Sequence, residues 1–122
     1  MEQTRLSARD QTTLARLRKI CLLWPETAKT VKWGHPVFVA GKKMFAAFGV
    51  DHGRPTIGFK LADERWDELV DEINIIPAPY AARFGWVSLW ADRKIDWRML
   101  EQLLFDSYRA VALKRMLAQL PK

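Results

Sequence analysis

The stretch from Val31 to Val50, VKWGHPVFVAGKKMFAAFGV, constrains the fold more than any other part of the chain. It opens on a Trp-Gly-His-Pro turn and runs through the β-branched and aromatic residues Val37-Phe38-Val39. After a reversal at Gly41-Lys42-Lys43, a second apolar run extends from Met44 to Val50. Apolar runs joined by a short glycine-containing loop form the pattern of a β-hairpin. Its tip carries two adjacent lysines, whose charges face water or a polyanion.

A chain of 122 residues with 49% hydrophobic content is expected to form one globular domain, residues 1–122, with a core of its own. Twenty basic residues against 14 acidic ones give a net charge of +6, a balance that favours a polyanionic partner or simply solubility. The charges are interspersed rather than gathered in a tail. Cys21 is the only cysteine, so an intramolecular disulfide and a cysteine-based zinc site are both excluded. No signal-peptide core occurs in Met1 to Arg9, and no apolar run approaches the ~18 residues needed to span a bilayer. The expectation is a cytoplasmic protein without a membrane partner. Nothing specifies an oligomer, and a monomer is the default.

Ser7 and Asp10 resemble a capping box, after which Leu14, Leu17 and Cys21 recur at helical spacing. This predicts a helix from about Ala8 to Leu22, ended at Trp24-Pro25 because proline disfavours helical geometry in the residue before it. Cys21 lies on the apolar stripe and reads as a buried, inert thiol. Strands are predicted at Thr30–Trp33, Pro36–Ala40, Lys43–Val50 and Thr56–Leu61, with a turn at Asp51 to Arg54. In the last of these strands Ile57, Phe59 and Leu61 share one face, which turns Lys60 to the other.

Asp63 is the predicted N-cap of a helix over about Glu64–Ile73, whose stripe is Trp66, Leu69, Val70 and Ile73. Asn74 to Pro79 reads as an irregular link and Tyr80 to Phe84 as a helical turn. A strand follows at Trp86–Trp90. Asp96 then caps a long helix, Trp97 to Leu120, with Trp97, Leu100, Leu104, Tyr108 and Val111 as its core stripe. Leu113, Leu117 and Leu120 continue it on a shifted face. The order is helix, three or four strands, helix, one or two strands, helix. That order indicates an α+β fold, an antiparallel sheet with helices packed on it.

Catalytic signatures are missing. His35 and His52 sit in predicted turns without metal-ligand spacing, and the glycines fit no phosphate-binding pattern. Ser7, Ser88 and Ser107 lack a nucleophile-elbow context. No enzyme activity, metal or cofactor is expected. The basic residues group as Lys42-Lys43, Arg54 with its turn, Arg93-Lys94 and Lys114-Arg115. If the sheet gathers the first three groups at one edge, they form a rim that contacts phosphates. Trp66 and Trp97 are core residues by periodicity. Trp33, Trp86 and Trp90 sit at predicted strand positions, where an aromatic is either core or a stacking platform.

Taken together, several segments resemble the MmcQ/YjbR-like family of small bacterial proteins. They are Cys21-Leu22 with Pro25, Val31 to Val39, Gly41 to Ala46, Phe59-Lys60-Leu61, Gly85 to Leu89, and Ser107 to Ala112. Leu23-Trp24 departs from the family's smaller residues before the proline. The resemblance implies a compact α+β fold similar to that of secretion chaperones, and a DNA-binding protein with a double-wing arrangement. The hairpin at Gly41-Lys42 and the loop at Arg93-Lys94 are the segments expected to serve as wings.

The expected function is therefore non-enzymatic, weakly sequence-selective DNA binding. Lys42, Lys43, Arg54, Lys60, Arg93 and Lys94 would contact phosphates, and Trp33 or Trp86 would stack on a base. The alternative is a protein- or peptide-binding adaptor that uses a sheet edge or an open apolar face.

Overall fold

The expected hairpin is one of three in succession in the computed structural model, which describes residues 7–70, 74–79 and 81–121. Strands β1 (Thr27–Lys32), β2 (His35–Ala40), β3 (Lys43–Asp51) and β4 (Arg54–Lys60) are joined by two-residue turns. Trp33-Gly34 and His52-Gly53 each place both residues at positive φ, as a type I′ turn requires. Gly41 is at φ +61° while Lys42 is not in the positive region, the pattern of a type II′ turn. A short strand β5 (Ile75–Pro77) and a later β6 (Trp86–Trp90) complete a six-stranded antiparallel sheet in the order β1-β2-β3-β4-β6-β5.

Four helices accompany it among the described residues: α1 (Ala8–Cys21), α2 (Asp63–Leu69), α3 (Trp97–Val111) and α4 (Lys114–Leu117). Ser7 caps α1 by accepting the Asp10 amide at 3.0 Å, and Asp96 caps α3 by accepting that of Met99 at 3.1 Å. Both caps match the sequence reading. The α+β class and the antiparallel sheet are as expected.

Several local expectations are corrected. The first strand starts at Thr27 and ends at Lys32, so Trp33 is a turn residue and not a strand residue. Glu26, at φ +58°, swings the chain directly from Pro25 into β1, which moves the strand toward the N-terminus. The N-cap of α2 is Ala62, in extended geometry, and Asp63 lies one position inside the helix. That helix ends at Leu69 with Val70 extended, while residues 71–73 of the predicted span lie outside the described residues.

The supposed irregular link contains β5, an edge strand of three residues, where Pro77 is tolerated because it sits at the strand's end. The predicted helical turn is a 3-10 turn at Ala82–Phe84, and Tyr80 lies outside the described residues. Finally, the long last helix is broken. Ala112 and Leu113 are extended, and α4 restarts at Lys114. The break lets Met116 reach the core, which accounts for the shifted leucine stripe.

Strand register sorts the side chains. Phe38, Ala46, Phe48, Ile57, Phe59, Val87 and Leu89 lie on one face, and residues from all four helices join them in the core. Leu17 and the inert thiol of Cys21 are fully buried there, and burial pushes that thiol's pKa well up. The opposite face, with Val37, Ala47, Gly58 and Ser88 in a row, bears no helix among the described residues. Phe38 pairs with Ala46 and Val39 with Met44, so Phe45 is the extra residue of a β-bulge.

Candidate nucleic-acid interface

Successive two-residue turns must alternate between the two ends of a sheet. The Trp33-Gly34 and His52-Gly53 tips therefore share one end, and the Gly41-Lys42 tip lies at the other. β6 runs antiparallel to β4 and pairs Trp90 with Thr56, so it delivers Arg93-Lys94 to the Trp33 end. This separates the residues expected to form one rim. Trp33, Arg54, Arg93 and Lys94 gather at one end, while Lys42, Lys43, Lys60 and Trp86 gather at the other. The length of β4 holds the two groups about 20 Å apart. The hairpin at Gly41-Lys42 and the loop at Arg93-Lys94 consequently cannot act as a pair of wings on one surface. The two tips that do point the same way, Trp33-Gly34 and His52-Gly53, are two strands or about 10 Å apart. With β6 added, the end spans about 17 Å at ~4.8 Å per strand.

At this end Trp33 is 81% exposed, and its φ of +53° is a conformation that L side chains rarely adopt. Lys32 beside it, and Arg93 and Lys94 across the end, are exposed and make no ion pair among the described residues. Lys32 was not singled out in the sequence. The signal was there, because the residue before a type I′ turn is carried to the tip with it.

Arg54 is engaged. Its Nε and Nη2 donate to the two Asp92 oxygens at 2.6 and 3.0 Å, and its guanidinium stacks 3.8 Å from the Trp90 ring centroid. The pair braces the start of β4 against the loop after β6, so Arg54 positions that loop instead of reaching for phosphate. The hydrogen bond from Arg54 holds the Asp92 carboxyl below the ordinary carboxylate range, and the same contact raises the Arg54 pKa. A depressed folded-state pKa contributes stability above the unfolded value of ~3.9, and the contribution is lost as pH falls through the folded value. Asp92→Asn should therefore lower the denaturation midpoint at pH 7 and have a smaller effect near pH 2. A pH-independent difference in urea titrations would rule out the ion pair as its source.

At the far end, Lys42 and Lys43 are exposed and unpaired among the described residues. α4 packs on their turn: a Cβ added at Gly41 would lie 2.8 Å from Met116 Cε. That contact brings Lys114 and Arg115 to the same end, with Arg115 bound to Glu26 through Nε at 3.2 Å and Nη2 at 3.0 Å. Lys60 pairs across the helix-free face with Trp86, whose ring atoms lie 3.6–3.7 Å from the Cβ position of Gly58. Trp86 and Trp90 are half-buried on that face, flat against the sheet or beneath Arg54. Neither is core, and neither stands out as Trp33 does.

Among the described residues, no group of His, Cys, Asp and Glu side chains is placed to hold a metal ion, and no helix is long and apolar enough to cross a membrane. Residues 22–110 match the YjbR family model. The fold is similar to a crystal structure from Deinococcus radiodurans with the family-model domain DUF419, at TM-score 0.73 and 24% identity over 88% of each chain. It also resembles a Pseudomonas syringae protein at TM-score 0.62 and 16% identity, covering 86% of this chain and 98% of the other. At these identities the likeness concerns the fold. No curated protein matches the chain.

Proposed function

The chain belongs to the YjbR family, and from that premise we propose a non-enzymatic DNA-binding protein of low sequence selectivity, working in the cytoplasm. Trp33 carries the reading. A large aromatic stands in water at a hairpin tip, in a backbone conformation that costs on the order of 1 kcal/mol for a residue other than glycine. Such strain at an exposed residue marks a position kept for contact. Lys32, Arg93 and Lys94 supply phosphate contacts at the same end, and Trp33 stacks on an unpaired base, which favours single-stranded segments.

Anisotropy titrations of a labelled single strand and a duplex at low salt test this reading. Trp33→Ala should lower single-strand affinity by about 5- to 150-fold, the ~1–3 kcal/mol of one stacked base. Arg93→Gln with Lys94→Gln should reduce the salt slope by about one per lost phosphate contact. The pair Lys42→Gln and Lys43→Gln should leave both affinity and slope unchanged, with a stability change under ~0.5 kcal/mol. Absence of binding to either nucleic acid at low salt rejects the function. Weakening by the Lys42/Lys43 pair moves the site to the other end.

A second reading, a peptide-binding adaptor, is favoured by β1. It is an edge strand of six residues whose Val31 side chain is exposed, although Lys29 and Lys32 guard it. Strand addition would protect β1 amides from hydrogen exchange, whereas DNA held by side chains would not.

A further inference from the structure

The helical layer carries a second surface, built from α1, α3 and the segment after α4 and unused by the proposed DNA contact. Between α1 and α3 runs a cleft of about 700 Å³, which meets another of about 620 Å³ at Leu23, Trp24 and Phe105. The second cleft continues along the chain's last turn to Leu120. From Trp97 to Phe105 alone the trough follows α3 for about 12 Å at 1.5 Å per residue. It is therefore long enough for more than two turns of a partner helix.

The floor is apolar and wet. Leu23 is 67% exposed, and Trp24, Trp97 and Phe105 are half-buried beside it. Trp24 is fixed by its ring contacts, 5.3 Å to Phe105 and 5.5 Å to Tyr108 between centroids. The rim is charged and unbalanced, with Arg16, Lys19 and Arg98 against Glu101. Arg16 lies 4.6 Å from the Trp97 ring centroid, which holds one cation over the apolar wall.

We propose that this trough docks an acidic amphipathic helix of a partner protein, its apolar stripe on Leu23, Trp24, Trp97 and Phe105 and its carboxylates against Arg16, Lys19 and Arg98. An open trough with an exposed leucine does not enclose a small molecule, which a pocket normally buries by 70–90% or more. Nucleic acid would need free ring faces to stack on, but Trp24 packs against Phe105 and Tyr108, and Arg16 covers the Trp97 ring. Two packed helices present grooves that a third helix fills, with apolar anchors at i, i+3, i+4 and i+7. The excess of cations selects the sign of the partner's polar face.

The probe is an 18-residue synthetic peptide with leucines at i, i+3, i+4 and i+7 and glutamates elsewhere. Its controls are a scrambled Leu/Glu peptide, a Leu/Lys version and anionic phospholipid vesicles. The 122-residue chain should bind the first in the micromolar range, with amide shifts confined to α1, α3 and the turn after α4. Leu23→Asp, at an exposed position that leaves the fold intact, should weaken binding at least tenfold. Exchanging Arg16, Lys19 and Arg98 for Glu should transfer preference to the Leu/Lys peptide. Trp33→Ala should leave peptide affinity unchanged, which separates this site from the DNA end. Equal binding of the scrambled peptide, preference for vesicles, no binding at all, or indifference to Leu23→Asp overturns the proposal.

Discussion

Replacing Ser107 with alanine is expected to destabilise the protein by about 2–4 kcal/mol, although the change removes one oxygen atom. Ser107 is fully buried in α3, and its hydroxyl donates to the Phe45 carbonyl at 2.6 Å and accepts the Lys60 amide at 2.9 Å. These two backbone groups belong to neighbouring strands whose ladder ends one residue earlier, at Ala46 and Phe59. The bulge at Phe45 opens the gap, and the serine fills it from the helix above. Alanine would leave a buried donor and a buried acceptor unsatisfied, each at about 1–3 kcal/mol. Urea denaturation followed by tryptophan fluorescence measures the loss. A loss below about 1 kcal/mol would mean that water or a strand shift replaces the hydroxyl. Ser107→Thr should keep the hydrogen bonds but crowd the interface with a methyl group, and is expected to fall between the two.

The same residue explains what the sequence reveals and what it conceals. Pattern reading found α1 and the stripe of α3 by their helical period, and β2, β3 and β6 as apolar runs between turn signals. It did not find β5, which is three residues long and proline-bounded, nor the break after Val111, which no glycine or proline announces. There the burial of Met116 against the Gly41 turn prevails over helix propensity, an outcome that exists only in three dimensions. Ser107 looked like a serine without a nucleophile context, and its partners are 47 and 62 residues away in the chain.

The candidate site was legible only in part. Lys60 was correctly turned away from the core, since alternation alone decides it, whereas the sequence left Trp86 open as core or platform. The grouping of basic turns at one edge failed, although the count of chain reversals between Gly41 and Arg93 already forbids it. Arg54 illustrates the remaining difficulty. Its partner Asp92 is 38 residues distant, and no local pattern shows that its charge is engaged. The segments that carry the family resemblance include Gly41, Phe45, Ser107 and Tyr108, all of them residues that hold the sheet, the bulge and the helices together. Their order and spacing therefore report the fold. Trp33 lies in one of these segments too, Val31 to Val39, whereas Leu23, Trp24, Trp97 and Phe105 of the α1–α3 trough lie outside them.

Tyr108 yields the largest expected effect. Its ring is fully buried in an aromatic cluster, 5.6 Å from Phe45 in an edge-to-face contact and 6.3 Å from Phe105 in a stacked one. Its hydroxyl donates to the Pro25 carbonyl at 2.8 Å, which ties α3 to the turn that feeds β1. Tyr108→Phe removes only that tie and should cost about 1–2 kcal/mol. Tyr108→Ala also empties the cluster and should cost about 3–5 kcal/mol, a large part of the 5–15 kcal/mol that keeps a domain folded. Burial, reinforced by the charge of Glu26, raises the tyrosine pKa in the folded state. The phenol's contribution is accordingly complete below the unfolded value of ~10 and drains away as pH rises through the folded one. Wild type and Tyr108→Phe should thus differ in urea midpoint at pH 8, and by less once the pH rises above ~10. An equal gap at both pH values would show that the hydroxyl does not titrate with unfolding, and that packing alone accounts for this residue.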